Sequence, residues 1–480
     1  MIKERVEKLL ALGCENKLLI FDKSGFTNSF DYFAVLHEYG YTVYEYSNVE
    51  QFRVLYEESL KRGAGKIAVI VRSDIYVPYD IRSFFRTVNL SLADLFPNLH
   101  EEIIAKHARD LDLISFAYDN CYSDMTSLSQ TEAFLRDTVF SKATIEHFCQ
   151  AKTDLLRSMC ETASIYTDWT AIAKTKAVID YYAAMKNFRA AVSFADEAFL
   201  RFIADGYCKL STQVNSSYPA IVTRTLGVIS ANKKEKAALI VMDGMSLFDF
   251  EVISRYFDGI KFEYDCSFAL IPTTTSISRQ SLLSGKFPIE LVKPFSLANE
   301  EKEFIAAGEN LGYSTNQIQY VRGFSPEISH FTKLAAVIVN DVDDIVHGQK
   351  QSRIGMFNDM NVLGRSGKLQ ELISQLASLG FSVYITADHG NTPCVGVDGF
   401  RSGVEVETRS MRMAVLKDFA DINALLAQNT SEYKGYYLDK NFRYFICNRG
   451  VSFDSKGEQV MTHGSISLDE VIVPFIKIRR

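Results

Sequence analysis

Three short segments in the second half of this chain each set a chemically reactive side chain in or just behind an apolar, strand-like run. Asp243 follows AALIVM, Thr275 stands in ALIPTTTSISRQSLLSG, and Asp388 with His389 follows FSVYITA. Two further segments, VNDVDDIVHG with Asp343 and His347 and MTHGSISLDEVIVP with His463, complete a set that holds three of the eight histidines. In an open α/β sheet the residues just past the strand ends gather along one edge, so this pattern is expected to bring polar groups together there.

At 480 residues and 47% hydrophobic, the chain has enough material for a large core and for two or three domains rather than one. A net charge of −7 and a pI near 5.7 argue against broad, nonspecific attraction to nucleic acid or anionic membranes, because no overall positive field draws polyanions in. A phosphate-bearing substrate therefore needs cations supplied locally. The eight cysteines (Cys14, Cys121, Cys149, Cys160, Cys208, Cys266, Cys394 and Cys447) are scattered, with no C-x-x-C pair. That suggests neither a disulfide framework nor a thiolate zinc site, and it fits a reducing cytoplasm. MIKERVEKLLALG interleaves charges with Ile2, Val6, Leu9, Leu10 and Leu12, the spacing of an amphipathic helix rather than of a signal peptide. No apolar run approaches the ~20 residues that span a bilayer, so the expectation is a soluble, cytoplasmic protein with no membrane partner.

Strand and helix patterns alternate from Lys17 to about Val77 as a small βαβαβ unit. From roughly 80 to 215, stretches such as TDLLRSMCETASIYTDWTAIAKTKAVIDYYAAMKNF lack Gly and Pro and carry apolar residues at three- and four-residue steps, a helical pattern. A polar, turn-rich stretch at 211–236 then leads back into strand-helix alternation. The expected domains are a small α/β domain at 1–80, a mainly helical region at 81–230 and a catalytic domain at 231–480. GAGK at 63–66 is read as a turn, since Leu60 stands where a P-loop needs its first glycine and Ile67 follows the lysine in place of Ser or Thr.

Each candidate has an ordinary role beside the chemical one. An Asp behind a strand also caps helices, so the case for Asp243 and Asp388 rests on combination. Asp388 and His389 would point to opposite faces of a regular strand, and Gly390 lets the chain bend so that both converge. Asp343 and His347, four apart, share a face if their segment is helical, and mixed oxygen and nitrogen donors suit zinc or manganese. Asp341 and Asp344 compete with Asp343 for that place. Thr275 lies ahead of a helix-like segment, where a hydroxyl and a phosphate meet unpaired N–H groups. Metal coordination lowers a hydroxyl pKa, and a second ion can hold the leaving oxygen. Thr273, Thr274 and Ser276 offer the same chemistry, and a plain N-cap is the alternative for Thr275.

Taken in chain order, D-G-M, P-T-T-T, N-x-x-D-x-x-x-H, A-D-H-G and a late H-G-S-I-S-L-D-E-V-x-V-P resemble the alkaline phosphatase superfamily. PTTTSISRQSLLSGK and HGSISLDEVIVP look like its PglZ domain, over roughly 236–480. The resemblance implies an α/β fold: an alkaline-phosphatase-like sandwich of a mainly parallel sheet between helices, preceded here by a small α/β unit and a helical region. It also implies two divalent metal ions, zinc first and manganese or magnesium as alternatives. Asp243, Thr275, Asp388 and His389 surround one ion, and Asp343, His347 and His463 the other. Thr275 is then a nucleophile that forms a phosphothreonine, later cleaved by water, from phosphate monoesters or diesters.

Related nucleotide pyrophosphatases carry an Asn three residues after the nucleophile, where this chain has Ser278. Ser278 or Arg279 is therefore the expected substrate contact, with Lys286 as a further cation, and a surface or helix-packing cation is the favoured alternative for Arg279 and Lys286. The sulfatase motif C-x-P-x-R is missing at 272–280, which argues against sulfate esters. PglZ-type proteins belong to bacterial phage-defence clusters and to some signalling regulators. That implies a phosphatase or phosphodiesterase with a nucleotide or oligonucleotide substrate, and protein partners of a defence system reached through residues 1–230. IFDKSG lacks the acidic cluster of a phospho-acceptor site, so 17–77 is read as structural or partner-binding. Beside the hydrolase stand two alternatives, a catalytically idle module stapled by its metals and a phosphomutase of the same superfamily.

Overall fold

The computed structural model describes residues 1–23, 25–26, 30–63, 65–72, 75–119, 125–231, 235–398, 410–417, 429–435 and 437–479. Ser24, Ala64 and Cys121, which entered the sequence expectations, lie outside these, as do parts of 231–480. Contacts divide the chain into Met1–Phe148 and Cys149–Arg480. Among the described residues no helix is long and apolar enough to cross a membrane.

In the first unit, β1 (Lys17–Phe21), β2 (Tyr41–Glu45), β3 (Lys66–Val71) and β4 (Arg86–Asn89) form an all-parallel sheet in the order β2-β3-β1-β4. The alternation over 17–77 is present, with helices Tyr32–Glu38 and Val49–Leu55 between the first three strands. β4 lies in the stretch expected to be helical; its four residues, RTVN, are too few to show a strand period. Lys66, the last residue of GAGK, opens β3 as a turn reading requires. Asp22, just past β1, is fully buried and accepts from the Phe26 amide and, at 3.0 Å, from the Tyr32 hydroxyl, so it organises the turn there. The N-terminal helix Ile2–Leu10 buries Ile2, Val6 and Leu10, the apolar stripe its spacing predicts.

The second unit contains the helices Tyr166–Met185 and Phe194–Asp205, from the stretch read as helical, together with the strands that follow. Its strands are β5 (Lys236–Met242), β6 (Phe262–Phe268), β7 (Ile318–Arg322), β8 (Leu334–Val339), β9 (Phe381–Thr386), β10 (Thr392–Gly396), β11 (Met413–Lys417), β12 (Thr430–Tyr433), β13 (Phe442–Cys447), β14 (Val451–Ser452), β15 (Gln459–Thr462) and β16 (Ile472–Ile478). Six of them form the main sheet in the order β6-β16-β9-β5-β8-β7. β9, β5, β8 and β7 are parallel, and β16 runs antiparallel to both its neighbours. β8 is buried at every position and β5 at all but its first, as expected where helices cover both faces of a sheet. One helical group joins Tyr166–Met185, Leu247–Ile253 and Ser352–Arg365; a second joins Thr275–Ser284 and Glu300–Asn310.

Register explains why distant segments meet. Met242 pairs with Val339 and Val241 with Thr386, so the chain leaves β5, β8 and β9 at one edge, carrying Asp243, the Asp341–Gly348 helix and Asp388. Because β16 is antiparallel, Ile472 pairs with Phe268, and the residues entering β16 meet those leaving β6 at that edge. Thr275 and His463 arrive by this route. A small sheet, β14-β10-β15, pairs Thr392 with Thr462 and so draws the segment after His389 toward the segment before His463. A third sheet, β11-β13-β12, is antiparallel.

Candidate active site

β5 ends at Met242 and β9 at Thr386, so Asp243, Asp388 and His389 sit in buried loops free of the strand alternation. Gly244, with φ +71°, turns the chain behind Asp243 and donates its amide to Asp388 Oδ1 at 3.2 Å. His389 Nδ1 donates to the Gly390 carbonyl at 3.0 Å, which leaves Nε2 as the acceptor. That nitrogen lies 3.0 Å from Thr275 Oγ1 and 3.7 Å from both Asp243 Oδ1 and Asp388 Oδ2. The two carboxylate oxygens are buried without a hydrogen-bond partner. Burial raises the Asp243 carboxyl to about 6 even though Arg279 opposes the shift. Burial and the Asp243 charge push Asp388 far above its ordinary range. Burial and His463 hold His389 far below its own. Orphaned carboxylate oxygens around an imidazole lone pair form an electron-rich hole, which a cation satisfies.

Thr275 is the first residue of the Thr275–Ser284 helix, and the N-cap is Thr274. Thr275 therefore does not cap the helix; its hydroxyl is directed to His389. Thr273 is tied elsewhere, donating to the Ser465 carbonyl at 3.0 Å and accepting from the Gly464 amide at 3.1 Å.

The Asp341–Gly348 helix places Asp343 and His347 on one face, as their spacing predicts. Asp344 is exposed and Asp341 half-buried, whereas Asp343 is buried. His347 Nε2 and His463 Nε2 lie 3.2 and 3.5 Å from the same Asp343 Oδ1, and 3.3 Å from each other. His463 Nδ1 donates to the Thr273 carbonyl at 2.9 Å, so its Nε2 lone pair faces the cluster. Burial alone would raise the Asp343 carboxyl, but the two imidazoles hold it below its ordinary range. The candidate ligand atoms of Asp343, His347 and His463 lie within 4.8 Å of one another, as do those of Asp243, Asp388 and His389. The His389 and His463 rings stack with centroids 4.1 Å apart, so the clusters adjoin. Two triplets of imidazole and carboxylate donors without thiolate fit borderline divalent ions such as zinc or manganese.

Ser278 and Arg279 were expected to touch substrate; in the structure both bond to the protein framework. Ser278 Oγ donates to the Asp388 carbonyl and accepts from the Leu270 amide, so its hydroxyl proton is committed to backbone. Arg279 is 1% exposed, bonded to Asp243 Oδ2 and, at 2.9 Å, to Glu300 Oε2. It anchors Asp243 and carries positive charge into the interior. Lys286 is a partly exposed cation paired with Glu303.

Gly390 also differs from expectation. A Cβ there would lie 2.0 Å from the Asp469 carbonyl oxygen, so the need is for close approach of two backbones. Sequence reasoning missed Glu300, Asn391 and Glu470. Asn391 joins two loops by donating to the Gly244 carbonyl at 2.8 Å and to Asp249 at 2.6 Å. Glu470 is fully buried and accepts from the Ser465 and Ser467 amides and from Arg412, fixing the loop that carries His463. The S-x-x-E spacing of Ser467 and Glu470 was a usable capping-box signal; Glu300 had none. A cavity of about 380 Å³ is lined by Phe188, Cys394, Arg449 and Asp469 among others, and by none of the seven candidates, so volume does not mark the chemistry here.

A mainly parallel sheet with Asp and His clusters past its strand ends defines an alkaline phosphatase-like α/β domain. A sequence model of the BREX system PglZ alkaline phosphatase-like domain matches residues 223–478, just over half of the chain, and the chain belongs to that family. Among solved structures, similarity is found to an inactive variant of murine ectonucleotide pyrophosphatase/phosphodiesterase 5 in complex with AMP. Identity is 11%, coverage 50% of this chain and 87% of that one, and TM-score 0.37. Phosphonoacetate hydrolase from Sinorhizobium meliloti, in complex with phosphonoformate, shows 13% identity, coverage of 51% and 89%, and TM-score 0.35. No curated protein matches the chain in sequence.

Proposed function

We propose that this chain is a metal-dependent phosphoesterase with Thr275 as its nucleophile. The observation that carries the proposal is the Thr275 Oγ1 to His389 Nε2 contact of 3.0 Å, set beside two buried carboxylate oxygens without hydrogen-bond partners. Asp243, Asp388, His389 and Thr275 would hold one divalent ion, and Asp343, His347 and His463 the other, with zinc favoured by the donor set. Ions so held lower the pKa of a hydroxyl and neutralise phosphoryl charge. Thr275 opens a ten-residue helix, whose first amides and dipole favour an anionic phosphate beside its oxygen. With Nδ1 donating to Gly390, the one lone pair of His389 Nε2 would be committed to the ion, so the proton of the Thr275 hydroxyl would pass to solvent. A bond from Thr275 Oγ1 to phosphorus displaces the ester oxygen, and water then attacks the same phosphorus and restores the threonine.

The substrate class is a phosphate monoester or diester. A nucleotide or oligonucleotide substrate in a phage-defence setting in the cytoplasm, with residues 231–480 as the catalytic domain and 1–230 recruiting protein partners, accords with the family to which the chain belongs. Purified protein loaded with zinc or manganese is expected to hydrolyse an aryl phosphate or a bis-aryl phosphate. Thr275→Ala is expected to keep its metal and lose roughly three orders of magnitude or more in kcat. Hydrolysis by that variant at the parent rate would overturn the assignment. Adding an acceptor alcohol separates hydrolysis, which yields free phosphate, from phosphoryl return as in a mutase.

A further inference from the structure

The short Leu468–Val471 helix reaches His389 through backbone. The Asp469 carbonyl packs against Gly390, and the Glu470 carbonyl accepts the Gly390 amide at 2.9 Å. The Gly390 carbonyl in turn accepts from His389 Nδ1, the bond that directs Nε2 toward Thr275. From the other side, the Asp469 carboxylate is gripped by Lys176 Nζ, 2.8 Å from each oxygen, and by Arg353 Nη2 at 2.6 Å. Lys176 is 3% exposed and also bonds Asp180 at 2.8 Å. It lies on the Tyr166–Met185 helix, outside residues 223–478. Asp196 Oδ1 takes the Leu468 amide at 2.9 Å, a second tie from the same helical stretch. Buried ion pairs add little net stability over apolar packing, but they fix geometry where each charge has one place to go.

We propose that Lys176 and Asp469 are positioning residues: their ion pair seats the Leu468–Val471 helix against Gly390 and so aims His389 at Thr275, making the helix that precedes the PglZ-like domain part of the active site. The inference rests on the phosphoesterase reading. Lys176→Gln, Asp469→Asn and the double variant, in the full chain, are compared for kcat, KM, thermal unfolding and divalent-ion affinity by calorimetry. Asp469→Asn weakens the bonds to both Lys176 and Arg353, whereas Lys176→Gln leaves Arg353, so Asp469→Asn is expected to lose about tenfold or more in kcat, Lys176→Gln less, and the double variant no more than Asp469→Asn, with KM within about twofold and one of two ions bound more weakly. Unchanged kcat per folded molecule, or losses that multiply in the double variant, would overturn the proposal. Should Lys176→Gln not fold, Asp469→Asn, which still accepts from Lys176, carries the comparison. If the parent protein hydrolyses nothing, the phosphoesterase reading has failed on its own. Ion affinity then decides: a loss upholds the link, and unchanged affinity overturns it.

Discussion

Asp243 shows how one side chain is shaped by partners of different kinds. One of its oxygens is bound by Arg279, and the other is buried beside His389 with no hydrogen bond. Arg279 is itself held between Asp243 and Glu300, and its removal takes the paired cation from the buried Asp243 carboxylate, while Glu300 keeps the Tyr320 hydroxyl and Arg322. Arg279→Met is expected to destabilise the fold by about 3–5 kcal/mol in denaturant titration, while KM of the folded fraction stays unchanged. A raised KM with full stability would restore Arg279 as a substrate contact. At this scale the sequence was most legible where chemistry follows an apolar run, as at Asp243, Asp388 and His389. The framework bonds of Arg279 and Ser278 were not legible, because their partners, Glu300 and the Asp388 carbonyl, come from segments whose proximity only the fold establishes.

The loop after β9 and the helix before β16 press so closely that glycine is required at their contact. Gly390→Ala would place a methyl carbon 2.0 Å from the Asp469 oxygen. Backbone must move to admit it, so a loss of about 1–3 kcal/mol or more is expected by thermal unfolding, together with weakened ion binding. A variant with parent stability and ion affinity would show that the contact does not constrain the loop. The Asp469 carboxyl makes a related prediction. Burial would raise it, but Lys176 and Arg353 hold it below its ordinary value of 3.8. A depressed carboxyl contributes stability above that value and loses it as pH falls through the folded pKa. Asp469→Asn is therefore expected to show a smaller drop in stability below about pH 4 than the parent chain. Strand and helix periods foretold the alternation over 17–77 and the helical pattern after it, and left the Asp341–Gly348 helix as a condition for Asp343 and His347 to share a face. They could not show that β16 runs antiparallel between β6 and β9, because strand direction leaves no periodic trace; yet that reversal delivers His463 to the edge where Thr275 lies.

Across the whole molecule, Asp243, Asp343, Asp388, His347, His389 and His463 converge from four segments of a chain whose net charge is −7. An ion that binds only the folded chain stabilises it by mass action, about 2.7 kcal/mol at a hundredfold excess over Kd. Chelation is accordingly expected to lower Tm, and zinc or manganese to restore it; a Tm indifferent to both would argue that the clusters hold no ion. The small α/β unit and the helices were legible as classes, whereas the joining of Tyr166–Met185 to the second unit was not, since its Lys176 contact spans 293 residues. The central claim is two ions at two adjoining clusters with Thr275 beside one of them, and anomalous diffraction from zinc- or manganese-loaded crystals tests it most directly. The account predicts two peaks, one among Asp243, Asp388, His389 and Thr275 and one among Asp343, His347 and His463. Loaded crystals with no peak in either cluster, or with Thr275 Oγ1 turned away from the first, would contradict it.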